Sequence, residues 1–85
     1  MDSSADDPLV AFSRRLRRIR LERGLSQEQL ASLAGLDRTY VSSCETGRRN
    51  ATIKTICRLS GALHVDPGAL VSDLYSPTSE GDLDL

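Results

Sequence analysis

An all-α fold of five short helices follows from three features of the 85-residue chain. Apolar residues recur at three- and four-residue steps, each such run opens on a capping residue, and no segment alternates apolar and polar residues over the length of a strand. A second core would need at least about 50 more residues, so the chain supplies one domain, expected over residues 8–75.

The first helix opens at Asp7-Pro8, a cap followed by a proline whose fixed φ suits a first helical position. Leu9, Phe12, Leu16 and Ile19 then line one face, and the helix ends before Gly24. Ser26-x-x-Gln29 forms a capping box for a second helix, about Gln27–Ala34, and Gly35 stops it with a positive φ. Asp37 caps a third, about Arg38–Glu45, with Val41 and Cys44 inward. After the loop Gly47-Arg48-Arg49-Asn50, Thr52 caps a fourth helix in which Ile53, Ile56, Leu59 and Leu63 share a face. Asp66-Pro67 opens the last, carrying Ala69, Leu70, Val71 and Leu74.

Eleven basic against twelve acidic residues give a net charge of −1, which taken alone argues against a nucleic-acid partner. The charges are segregated, however. Residues 1–7 hold Asp2, Asp6 and Asp7, residues 76–85 hold Glu80, Asp82 and Asp84, and neither end has a base. Both are expected to be acidic, disordered tails, since they offer little to bury. All eleven bases fall in the middle, against six acids (Glu22, Glu28, Asp37, Glu45, Asp66, Asp73), a surplus of five. A basic domain lies between acidic ends.

No apolar run approaches the roughly 18–20 residues of a membrane span, and the acidic start lacks the basic and apolar regions of a signal peptide, so a cytoplasmic location is expected. Cys44 and Cys57 lack the spacings of metal sites or disulfide frameworks and are expected to be reduced thiols. No nucleophile, base and oxyanion donors are spaced to meet, so an enzyme is not expected, nor is a cofactor, metal or small-molecule ligand.

The most specific feature is the run from Gln27 to Cys44. Leu30, Ala34, Leu36, Val41 and Cys44 supply the inward contacts of two helices, Ala31 is small where they approach, and Gly35 makes the turn. That spacing is a helix-turn-helix across helices 2 and 3.

On these residues the chain resembles the phage repressor and Cro-like helix-turn-helix proteins over about residues 9–75. The resemblance runs through Gly24-Leu25-Ser26-Gln27-Glu28-Gln29-Leu30-Ala31, Tyr40-Val41-Ser42 with Glu45-x-Gly47, and Ala62-Leu63-x-Val65-Asp66-Pro67. Asp37-Arg38-Thr39-Tyr40-Val41-Ser42 followed by Arg49-Asn50-x-Thr52-Ile53-Lys54 looks most like the controller proteins of restriction–modification systems. The resemblance implies a compact lambda-repressor-like domain that binds double-stranded DNA as a homodimer on a palindromic operator and regulates transcription. Three positions depart from the pattern: Cys44 stands where Ile or Leu is common, Gly61 lies inside helix 4, and His64 replaces the usual glycine at that helix's end.

A recognition helix enters the major groove by its N-terminal end, which points Arg38, Thr39, Ser42 and Ser43 at base edges. Arg38 has the strongest chemistry, because a guanidinium bonds guanine O6 and N7 together. Its alternative is a solvated charge beside Asp37. Thr39 offers a hydroxyl or a methyl group, whereas Ser42 and Ser43 are short and act by close packing or through water, or not at all. Phosphate contacts are expected from Gln27 with the free N–H groups of the helix 2 terminus, and from Arg48, Arg49 and Asn50. For the loop the alternative is a plain charged turn. Tyr40 either adds its hydroxyl to that strand or packs with a wet tip.

The resemblance also pairs Arg20 with Glu45 as a structural ion pair and assigns Glu28 as a contact for RNA polymerase in an activating controller. Arg14, Arg15, Arg17, Arg18 and Arg23 are expected to form a solvated face. A short recognition helix reads few base pairs, so a dimer is expected, with Leu70, Val71, Leu74 and Tyr75 as its face or else as intramolecular core. The rival function is an antitoxin-like protein-binding module that reuses the helix-turn-helix fold.

Overall fold

The computed structural model describes residues 7–74. Tyr75 and the expected acidic tails lie outside the described residues, apart from Asp7. The order is α1 (Pro8–Glu22), α2 (Gln27–Ala34), α3 (Arg38–Glu45), α4 (Ile53–Leu63) and α5 (Pro67–Val71), with no strand among the described residues.

Each helix begins where a short polar side chain satisfies an orphan backbone N–H. Asp7 accepts from the Leu9 amide and Asp37 from the Thr39 amide, at 2.9 and 2.8 Å. Thr52 accepts from the Thr55 amide, and Asp66 from that of Gly68. At α2 the capping box is reciprocal: Ser26 Oγ accepts from the Gln29 amide at 3.0 Å, and Gln29 Oε1 accepts from the Ser26 amide at 2.8 Å. The caps therefore fix four tight connections by local chemistry.

Four helix ends turn through left-handed backbone, at Gly24, Gly35, Gly47 and His64. Gly35 takes it at φ 70°, and the Leu36 amide then closes on the Ala31 carbonyl at 2.8 Å, fixing the turn between α2 and α3. His64 does the same after α4 at φ 59° despite its side chain, and the Val65 amide reaches the Ser60 carbonyl at 3.0 Å. Steric strain there is smaller for His than for a β-branched residue, and the hydrogen bonds hold the cap closed.

The core is a single cluster. Leu16, Leu30, Val41, Cys44, Leu59, Leu63 and Leu70 are fully buried, and Phe12, Ile19, Ala31 and Ala34 close it. α3 packs on both α1 and α2, so the recognition helix rests on a platform rather than standing free.

Two expectations fail at the margins. Ile53, assigned to the apolar face of α4, is 76% exposed, because as the first helical residue it lies beyond the rim of the core. α5 stops at Val71: Ser72 is extended and Asp73 takes φ 60°, which leaves Leu74 in the following turn.

Candidate nucleic-acid interface

The helix-turn-helix is held from beneath by charge. Arg20 of α1 grips Glu45 at the end of α3 with two parallel bonds, Nε to Oε2 at 2.6 Å and Nη2 to Oε1 at 2.9 Å. Its Nη1 donates to the Leu25 carbonyl at 2.7 Å. The side chains are 8% and 1% exposed, so the pair is removed from water and each charge depends on the other. It ties the start of the α1–α2 connection to the far end of α3.

Gln27 joins this network. Its amide donates to Glu45 Oε1 at 3.1 Å, so the side chain expected at phosphate is anchored to the ion pair. One amide N–H remains, together with the backbone donors of the α2 terminus, and both lie at the same end of the helix.

Above this base, α3 presents its N-terminal end to solvent. Arg38 and Thr39 are exposed, and neither side chain has a hydrogen-bond partner among the described residues. Ser42 is half-buried. Ser43 donates its hydroxyl back to the Thr39 carbonyl at 3.0 Å, which leaves it only acceptor capacity. The guanidinium of Arg38 is thus the strongest free hydrogen-bonding group at the tip.

Arg48, Arg49 and Asn50 follow α3 as an exposed loop. Arg49 lies over the Tyr40 ring, 4.8 Å from its centroid, a cation–π contact that limits where its charge can swing. The Tyr40 hydroxyl meets Thr55 Oγ1 at 3.3 Å, and Thr52 Oγ1 reaches the same atom at 3.1 Å. This internal partner favours the packing alternative for Tyr40 over the phosphate one. Thr55 is buried and escaped the sequence reading, since a threonine inside a helix announces no partner.

The arginines of α1 divide differently from expectation. Arg14, Arg17 and Arg18 are exposed, but Arg15 donates to the Ala69 carbonyl at 2.9 Å and to Ser72 Oγ at 3.2 Å. Arg23 donates to the Leu63 carbonyl at 2.7 Å. Arg15 is half-buried and Arg23 is exposed, yet both are partnered: they cap carbonyls left open at the ends of α5 and α4.

Among the expected dimer residues, Leu70 is corrected. It is fully buried within the domain and offers nothing to a second copy. Val71 is 38% exposed and Leu74 half-buried, and both line a hollow of about 330 Å³ with Leu9, Phe12 and Ile56. Glu28 is exposed in the first turn of α2.

Both cysteines are free thiols, Cys44 buried and Cys57 exposed. Burial pushes the Cys44 thiol above its ordinary range, with the nearby Arg49 charge opposing and Glu45 adding to the rise. No helix among the described residues is long and apolar enough to cross a membrane, and no cluster there has the side chains to hold a metal ion.

Residues 16–70 match the helix-turn-helix family model. The control protein C.MunI of Mycoplasma sp. is 37% identical over 70 residues, spanning 81% of this chain and 95% of that protein. Among solved structures, the restriction-modification controller protein C.AhdI from Aeromonas hydrophila superposes with a TM-score of 0.72 at 50% identity, over 73% of this chain and 94% of that one. The C.Esp1396I controller, solved as a tetramer in complex with its natural 35 base-pair operator, gives a TM-score of 0.72 at 39% identity, over 79% and 88%. With the motif, its supporting ion pair and these likenesses in hand, the chain belongs to the phage repressor and Cro-like helix-turn-helix family, and it is similar to the controller proteins of restriction–modification systems.

Proposed function

We propose that the protein is a sequence-specific double-stranded-DNA-binding transcriptional regulator that acts in the cytoplasm as a homodimer on a palindromic operator, in the manner of a restriction–modification controller. The observation that carries this reading is Arg38 at the exposed tip of α3, without a side-chain partner among the described residues, on a helix that α1 and α2 hold from behind. Arg38 and Thr39 read base edges, with Ser42 and Ser43 packing close. The remaining Gln27 N–H, the α2 terminus, Arg48, Arg49 and Asn50 position the helix on phosphate.

The dimer forms through Val71, Leu74 and the hollow they line, extended by Ile53, which neighbours Ile56 one turn on. Two copies place their recognition helices in successive major grooves about 34 Å apart. Glu28, exposed on α2, is the contact for RNA polymerase. Replacing it by Gln leaves operator affinity within about twofold and abolishes activation in a reconstituted transcription assay; undiminished transcription rejects that role.

Sequencing of DNA selected from a random pool by the purified full chain tests the reading. The expected result is an enriched palindrome bound in a salt-dependent way. Failure to enrich any sequence overturns the DNA reading and leaves the antitoxin-like protein-binding module, which predicts a protein partner instead.

A further inference from the structure

α1 carries a basic stripe that lies outside the DNA contacts proposed above. Arg14, Arg17, Arg18 and Leu21 recur at three- and four-residue steps on the side opposite Phe12, Leu16 and Ile19, and together with Glu22 they enclose a shallow hollow of about 470 Å³. Leu21 is 53% exposed at its centre. Arg18 has an exposed i,i+4 contact with Glu22 at 3.2 Å, of the kind worth little in water. Arg14 and Arg17 have no ion-pair partner among the described residues. The stripe is therefore an apolar centre ringed by net positive charge.

The chain itself contains a segment of complementary pattern. Residues 80–85 read Glu-Gly-Asp-Leu-Asp-Leu, acids interleaved with leucines and without a base. In an extended conformation Asp82 and Asp84 stand about 6.6 Å apart, close to the about 6 Å that separates Arg14 from Arg18 along a helix. The same extension turns Leu83 and Leu85 to the opposite side, so the match is one of charge.

The path is short. α5 is tied to α1 through the bonds from Arg15 to Ala69 and Ser72, and Leu74 lies beside Leu9 and Phe12. From Leu74 to Asp82 the extended chain spans up to about 26 Å, whereas a helix with its side chains is only about 10–12 Å across. We propose that residues 75–85 dock on the outward face of α1, with Glu80, Asp82 and Asp84 on Arg14, Arg17 and Arg18. Docked there, the acidic segment is held away from Arg38, Arg48 and Arg49 and leaves the recognition helix open.

The test compares amide NMR spectra of the full chain with those of two full-length variants, Glu80→Gln/Asp82→Asn/Asp84→Asn and Arg14→Gln/Arg17→Gln. All five positions are at the surface or outside the described domain, so both variants fold. Docking predicts that the acid-neutralised variant shifts amides at residues 14–22, and that the arginine variant shifts those at 80–85. Both differences should vanish near 1 M salt, where screening acts within about 3 Å, and persist unchanged on dilution. Shifts at Arg38–Ser43 and Arg48–Asn50, differences that fade on dilution, or no change outside the tail each overturn the proposal.

Discussion

The arginines of α1 and those around α3 carry the same charge on the same side chain, yet they are put to opposite use. Arg20 and Arg15 turn inward and, with the exposed Arg23 just after α1, are spent on a carboxylate or on carbonyls at helix ends. Arg38 and Arg48 stand in water with no partner among the described residues, and Arg49 is braced on Tyr40. What a guanidinium does is set by the acceptors its backbone position puts within reach, so a basic count alone cannot identify a binding surface. The first group fixes the platform, and the second can meet a polyanion because it was left free.

Breaking the platform should give the largest effect. Arg20→Ala leaves Glu45 buried without its cation and Gln27 without an aligned partner, at a cost of about 3–5 kcal/mol in unfolding free energy measured by denaturant titration. In a domain of this size that approaches the whole stability, and DNA binding falls with the fold. A loss under 1 kcal/mol would show that the pair is not a foundation.

Arg38→Ala sharpens the contrast from the other side. It should cost about 1–3 kcal/mol of preference at one guanine in each half-site, while the unfolding midpoint stays within a degree or two. Arg23→Gln is intermediate: it frees the Leu63 carbonyl and should lower stability by about 1 kcal/mol without altering which bases are preferred. Arg49→Ala should produce the smallest and least selective change, weakening operator and random DNA alike and reducing the salt slope by about one.

A fifth effect concerns pH. Because burial raises the Cys44 thiol, the fold favours its protonated form, and that contribution is complete below the ordinary thiol range. It should be lost as pH rises through the raised value, so unfolding curves of the parent fall at alkaline pH more steeply than those of Cys44→Ala.

Sequence reading succeeded where structure is made locally. Asp7, Ser26, Asp37, Thr52 and Asp66 cap within their own first turns, so the helix starts were plain, while His64 was legible as a helix stop through the family resemblance, which has a glycine there. It failed where partners are distant or the period too short. Arg15 and Arg23 find carbonyls 54 and 40 residues away, and nothing adjacent to either announces that. A five-residue helix has too few turns to fix which apolar residue faces in, so Leu70 and Val71 could not be separated. At the site, the exposed tip of α3 was legible from the motif spacing. The bond from Gln27 to Glu45 and the Tyr40–Thr55 contact depend on how three helices meet, which spacing does not encode.

The division between holding and reading is tested most directly by DNA selection with Arg38→Ala in parallel with the parent protein. The parent should enrich a palindrome with a guanine contacted in each half-site. The variant should enrich the same palindrome with that guanine preference erased and its fold intact. An unchanged preference profile, or a uniform loss on every sequence, would contradict the assignment of Arg38 as the reader.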